Sequence, residues 1–417
     1  MRNSDAGRRR VGRRLAWRAA LVLLAGALSC PGHMSLSAAP REPVEAERPQ
    51  PKTALPLPVS KEDRKQLDGV VDRGLAYLAA HQNSDGSFQT IPVARPAVTG
   101  LCVMAFLSRG YHPGEGLYAS NIEAAIDYVL TFQDPESGAI TPQQIGGRRG
   151  FWDRAAIYTH GICSTMLADC FPFTGRLQYR QGGEPDAGQH DQERHAAIEK
   201  AVRKSLQFTR NHQMEPKQNG SDQGGWRYIG MMQDTSDLSV TAWEVMFLHS
   251  AKKSGFQVPD AWIKGALKYV HRTFSKKQHG FVYQIGSERM RHCTRATVGG
   301  GILCLLLGGE PMSPQIKEAV SYIFKHPFDP YNTSWEPGDR YHYSAFYCSQ
   351  AMGLIGGPAF KDFYPGLLHV LSEHQNSDGS WAPEQFREEN TYGEVYTTAL
   401  AILALSPPYQ KLETYKR

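Results

Sequence analysis

The chain has 417 residues, with 46 Lys and Arg against 41 Asp and Glu and a formal charge of +5. Residues 1–39 hold seven of the Arg and one Asp, a net +6, so the rest of the chain stands near −1. A neutral body excludes the broad basic surface that nucleic acid or an anionic membrane face demands, and 41% hydrophobic residues suffice for a large core.

The N-terminus reads as an export signal over residues 1–39. Arg2, Arg8, Arg9, Arg10, Arg13, Arg14 and Arg18 precede or open the apolar run 19–28. That run is about ten residues, half of the roughly 20 that span a bilayer core. Ser37-x-Ala39 offers a small-residue cleavage site. Two further readings stay open: a lipid anchor at Cys30, behind Ala27-Leu28-Ser29, and a twin-arginine signal at Arg13-Arg14. The expectation is an exported protein, periplasmic or extracellular, with membrane association only through the signal or a lipid anchor. Residues 40–63 form a linker with six Pro between 40 and 58. Beyond it stand Cys102, Cys163, Cys170, Cys293, Cys304 and Cys348. An even count in an exported chain permits disulfides, but most sit in apolar helical runs, where a buried free thiol is the commoner state.

From 64 to 417 the chain repeats. His81-Gln82-Asn83-Ser84-Asp85-Gly86-Ser87-Phe88 returns as His374-Gln375-Asn376-Ser377-Asp378-Gly379-Ser380-Trp381. Weaker copies lie at Gln133 to Gly138, Gly224-Gly225-Trp226, Gly280-Phe281-Val282 and Thr333-Ser334-Trp335. Each follows an amphipathic helix with apolar residues three and four apart, as in Ile122, Ala125, Ile126 and Val129. These helices carry an anchor at a similar place: Tyr77, Tyr128, Phe208, Tyr269, Tyr322 and Val370. Each copy precedes a helix that is apolar nearly all round, over 97–107, 158–169, 239–250, 297–307, 343–355 and 395–405.

Six such pairs give twelve helices. One hairpin cannot bury both its faces, whereas six can close a ring with the apolar helices inside. An open solenoid would want polar capping repeats at its ends, yet the first and last repeats carry the best-formed motif. The expected fold is all-α, an (α/α)6 toroid of six helical hairpins, with residues 174–194 as a solvated insertion. The run Gly299-Gly300-Gly301 lies inside a helix with no strand before it and signals close helix packing rather than a phosphate loop.

The motif Arg73-Gly74-x-x-Tyr77-Leu78-x-x-x-Gln82-x-x-x-Gly86-x-Phe88 resembles the QW repeat of squalene and oxidosqualene cyclases, and Gln375-x-x-x-Gly379-x-Trp381 matches its core. The resemblance runs over residues 64–409. It implies a terpenoid-cyclase and prenyltransferase type of toroid in which the Gln caps a neighbouring helix and the aromatic stacks in the outer layer. Fold does not fix chemistry. Those cyclases use the central Asp of an Asp-x-Asp-Asp motif as the acid. Asp234-Thr235-Ser236-Asp237 is the counterpart here, with Ser236 at the acid position. The zinc of protein prenyltransferases sits on an Asp-x-Cys and a His of the next repeat. Here Arg291-His292-Cys293 and Asp339-x-Tyr341-His342 stand there, with Arg291 in place of the Asp. Neither an Asp-Asp-x-x-Asp diphosphate motif nor a thioester segment occurs.

Inner-helix starts are expected to face one mouth of the ring, bringing Arg95, Asp153, His160, Asp237, Arg295, His342 and Glu394 together beside Tyr158, Tyr341, Tyr343 and Tyr396. The alternative for each charged residue is a helix cap or dipole partner. The candidate catalytic residues are Asp234 and Asp237 as acids, His342 as base or ligand, and Glu394. No cofactor and no metal is expected, and the expected partner is a hydrophobic small molecule such as an isoprenoid. Two alternatives stand beside this reading. One is an exported (α/α)6 carbohydrate hydrolase or lyase with Asp153, Asp237 and Glu394 as carboxylates and Trp152, Tyr158, Trp335 and Tyr341 stacking on sugar. The other is a non-catalytic protein-binding scaffold.

Overall fold

The structure, a computed structural model, describes residues 57, 59–142, 149–175, 188–230, 232, 234–384, 391–409 and 411–415. The expected export signal, Cys30 and nearly all of the linker lie outside the described residues, as do the side chains of residues 149–153.

Each expected hairpin is present. The six pairs are α1 (Lys61–Ala80) with α2 (Arg95–Arg109), α3 (Ala119–Leu130) with α4 (Arg149–Cys170), α5 (Gln189–Met214) with α6 (Leu238–Lys253), α7 (Asp260–Arg272) with α8 (Arg295–Leu307), α9 (Pro314–Lys325) with α10 (Tyr341–Ile355), and α11 (Gly357–Glu373) with α12 (Glu394–Leu405). The even-numbered helices touch in order around the molecule, and α12 touches α2, so the ring is closed. The odd-numbered helices form the outer layer. In α7 only Ile263, Ala266, Leu267, Tyr269 and Val270 are buried, one stripe, whereas in α8 every residue but Leu306 is. Gly299 allows a close approach of α8 to α10: a Cβ there would lie 2.7 Å from the Cys348 amide nitrogen.

The repeated turn ties the outer layer together. Gln82 donates from Nε2 to the carbonyl of Gly86 in its own turn and to that of Asn121 in α3, both at 2.8 Å. Gln133 joins Gly138 to Ala201 of α5 in the same way, and Gln213 joins Gly224 to Trp262 of α7. In four of the copies the aromatic that ends the motif (Phe88, Trp226, Phe281 and Trp381) is buried between the layers, whereas Trp335 is exposed.

Helix starts follow local chemistry. Ser60 accepts from the Asp63 amide and starts α1 at Lys61, ahead of the expected boundary at 64. Thr294 and Thr297 cap α8 reciprocally, and Ser313 caps α9 with Pro314 in its first turn. The expected insertion ends early, because α5 begins at Gln189. Its first turns lack apolar residues and are anchored by buried Arg194, paired with Asp127 of α3 at 3.0 Å. α4 starts nine residues before the expected 158.

After α12 the chain crosses the end of the ring where the inner helices finish. Thr414 donates from its amide to Asp169 Oδ1 at 2.9 Å and from its hydroxyl to Asp169 Oδ2 at 2.8 Å, near the end of α4. Ser250 of α6 donates to the same carboxylate at 2.6 Å. Leu412 and Tyr415 are buried beside it. All six cysteines among the described residues are buried and unpaired. No helix among the described residues is long and apolar enough to cross a membrane.

Candidate functional site

At the opposite end, where the inner helices begin, lies a cavity of about 390 Å³. All six inner helices line it. Ala97, Val98 and Leu101 come from α2, Ile162 from α4 and Trp243 from α6, giving an apolar interior. Tyr158, Tyr228, Tyr283, Tyr343, Tyr392 and Tyr396 surround it. A mostly apolar cavity of this size with a few convergent polar groups is the usual form of a small-molecule site.

The wall holds an ordered chain of hydroxyls. Tyr158 donates to Ser239 Oγ at 3.0 Å, Ser239 lies 3.1 Å from the Tyr343 hydroxyl, and Tyr343 donates to Tyr347 at 3.3 Å. Trp243 Nε1 donates to Tyr343 at 2.9 Å. Burial pushes the Tyr343 phenol up to about 12, so it stays neutral at ordinary pH.

Beneath this wall lies Asp237. It is fully buried, caps α6 by accepting from the Val240 amide at 2.8 Å, and pairs with Arg227 Nη1 at 3.0 Å. Burial raises its pKa, and Arg227 opposes that rise. The Tyr283 hydroxyl lies 2.9 Å from that of Tyr228. The Arg227 guanidinium stands over the Tyr228 ring, 4.5 Å from its centroid. Asp237 is thus linked to the cavity wall through Arg227 and Tyr228.

The other sequence candidates lie apart. Asp234 is exposed at the edge of its turn. Glu394 opens α12 and accepts from the Tyr77 hydroxyl of α1 at 3.3 Å. His342 is fully buried, with Tyr331 Oη 3.1 Å from Nε2 and Glu384 Oε1 3.4 Å from Nδ1. None of these residues, nor Asp237, lines the cavity. Arg295 pairs with Asp339 at 2.8 Å, both buried. His160 lies between Ile140 and Thr209, and burial holds its imidazole down at about 3. Of the sugar-stacking candidates, Tyr158 lines the cavity, Trp335 is exposed, and Tyr341 donates to the Phe328 carbonyl. Asp153 and Trp152 are outside the described side chains.

The two acids most perturbed by burial are also elsewhere: Asp169, pushed up to about 7, and Glu244, pushed up to about 8. Burial likewise pushes the Cys293 thiol up to about 12. Among the described residues no group of three or more His, Cys, Asp or Glu is placed to share a metal ion.

Sequence reasoning missed Tyr228 and Tyr283, whose only signal is an equivalent place in two of the repeats. Each stands two residues after the aromatic of its turn, Trp226 or Phe281.

No family model matches the chain, and no curated protein matches its sequence. Solved structures do match its fold. A type II terpene cyclase from Scytonema, in complex with geranylgeranyl dihydroxybenzoate, aligns at a TM-score of 0.53 and 14% identity, over 85% of this chain and 100% of that one. An α-1,6-mannanase of glycoside hydrolase family 76 from Salegentibacter, in complex with α-1,6-mannotriose, aligns at 0.56 and 10% identity, over 83% and 99%. A glycosidase aligns at 0.51 and 12% identity, over 85% and 100%. The chain is an α/α toroid, of a fold shared by terpene cyclases and glycosidases.

Proposed function

We propose that this is an exported toroid whose central cavity holds a hydrophobic small molecule of isoprenoid type. The observation that carries the reading is the cavity, lined from all six inner helices by apolar and aromatic side chains. A terpene cyclase of this fold binds a geranylgeranyl compound. Against the carbohydrate reading stands the lining: among the described residues it has no carboxylate, and glycoside hydrolysis calls for two. For any turnover we assign the acid to Asp237, because its partner Arg227 stands over Tyr228, which lines the cavity.

Native mass spectrometry of the mature protein, purified from its own cells, tests the reading, with metals measured on the same sample. A co-purifying isoprenoid supports it. A bound sugar, or a bare protein that refuses isoprenoid alcohols in titration, overturns it in favour of the hydrolase or the scaffold. The mature N-terminus read in the same spectrum tests export.

A further inference from the structure

Two reactive groups on the cavity wall take no part in its hydroxyl chain. Val282 and Cys293 face each other in an antiparallel bridge, and the Tyr283 amide donates to the His292 carbonyl at 3.0 Å. Tyr283 and His292 are therefore cross-strand neighbours, and such pairs share one face of a ribbon with Cβ atoms about 5 Å apart. Both line the cavity. The His292 side chain is half-buried, and among the described residues nothing hydrogen-bonds or pairs with its imidazole. Its Nε2 sits beside Gly338, another lining residue, where an added Cβ would be 3.7 Å away. The buried histidines differ. His160, His212 and His342 each spend a ring nitrogen on the Ile140 amide, the Arg227 carbonyl and the Tyr331 hydroxyl respectively.

Tyr283 leads to the second group. Its hydroxyl lies 2.9 Å from that of Tyr228, which also lines the cavity. Two hydroxyls bring two protons, and the bond between them uses one. The Arg227 guanidinium stands over both rings, 4.5 Å from the Tyr228 centroid and 5.4 Å from that of Tyr283. Burial and the Asp237 charge raise the Tyr228 phenol, and Arg227 and the Tyr283 contact oppose that rise. The hydroxyl therefore keeps its proton and serves as a donor. A donor and a free imidazole on one apolar wall are what enolisation of a carbonyl compound needs.

We propose that the cavity is an acid–base site for an apolar ketone, with Tyr228 holding the carbonyl oxygen and His292 taking a proton from the carbon beside it. The C–H electron pair becomes the double bond of the enol, and the charge growing on oxygen rests on the Tyr228 hydroxyl. His292 then returns the proton to the same carbon or, in an unsaturated ketone, to the far end of the conjugated system, which moves the double bond. Nothing is oxidised and no second substrate is consumed. Arg227 and Asp237 stand behind Tyr228 and act through it. This rests on the cavity being the binding site, and it names the reactive group of the occupant.

Geranylacetone, an isoprenoid methyl ketone, is the probe. Isothermal titration reads its binding, and mass spectrometry reads deuterium entering beside its carbonyl in heavy water. The wild type is expected to bind it and to speed exchange roughly tenfold or more over buffer. His292→Gln and Tyr228→Phe should each remove most of that acceleration while the ketone still binds. A bound ketone without acceleration, or acceleration that survives either substitution, overturns the acid–base pair and leaves the hydrophobic cavity standing. A ketone that does not bind the wild type overturns the cavity reading itself. Bromomethyl decyl ketone probes the base with no substitution, so it decides the matter even where a variant unfolds. The imidazole displaces bromide, and the added mass is expected on the peptide that holds His292; alkylation only elsewhere, or none, removes His292 from the site.

Discussion

Gln375, in the last hairpin, donates from Nε2 to the carbonyl of Val70 in the first helix at 2.9 Å. It also donates to Gly379 at 2.9 Å, and its Oε1 accepts from Arg73. This is the bond that Gln82 makes to α3, reused between the two ends of the chain. Replacing Gln375 with Ala leaves the Val70 and Gly379 carbonyls short of a donor, which costs about 1–3 kcal/mol. The loss should appear first at the seam. Hydrogen exchange is expected to speed up in α1 and α11 of Gln375→Ala while the amides of α6 and α8 stay protected; uniform acceleration would mean that the seam has no special role.

Gly379 is the stricter member of the same turn. Its φ is +95°, and a Cβ there would run into the Arg73 carbonyl of α1. Gly379→Ala combines backbone strain with a clash against rigid backbone, so a loss of about 1–3 kcal/mol is expected. Denaturant midpoints compared with Gly366→Ala, a position with open space around it, provide the measure.

Arg227 and Asp237 are both buried and paired. Asp237→Asn preserves the acceptor that caps α6 but strands the guanidinium, at a cost of about 3–5 kcal/mol. Arg227→Met/Asp237→Asn should recover part of that loss. Additive losses in the double-mutant cycle would show that the two residues act independently.

Asp169 gives a pH dependence. Its folded pKa is raised to about 7 from 3.8 by burial, so between those values the folded state binds more protons than the unfolded one. Its contribution is therefore favourable near pH 4 and is lost as pH rises through 7. Asp169→Asn removes the titration, so its stability relative to the wild type should climb between pH 4.5 and 7.5. Urea denaturation at both pH values tests this, and a constant difference would refute it.

The fold was legible because each hairpin obeys two rules visible in the residues. Expected runs at 239–250 and 395–405 became Leu238–Lys253 and Glu394–Leu405, since caps and turns mark their limits. The start of α4 was not, because an early turn without clear apolar spacing carries no periodic signal. The site was legible in place but not in detail. Helix starts do face one mouth, yet at three of them the charged residue points away and the residue two positions later lines the cavity. Asp237 gives way to Ser239, Arg295 to Thr297, and Glu394 to Tyr396. Two residues turn a helix by about 200°, so a charge that caps a helix or pairs with the outer layer is on the wrong face for the cavity. Arg340 and Met290 come from turns whose path follows from tertiary packing and from no local pattern.

The C-terminal segment that crosses the far end gives the ring a floor. The protein is a cup and not a tube, so a guest cannot be threaded through it; what enters must back out past Arg154 and Arg340. Any handover to a second protein or to a membrane must then take place at that single rim.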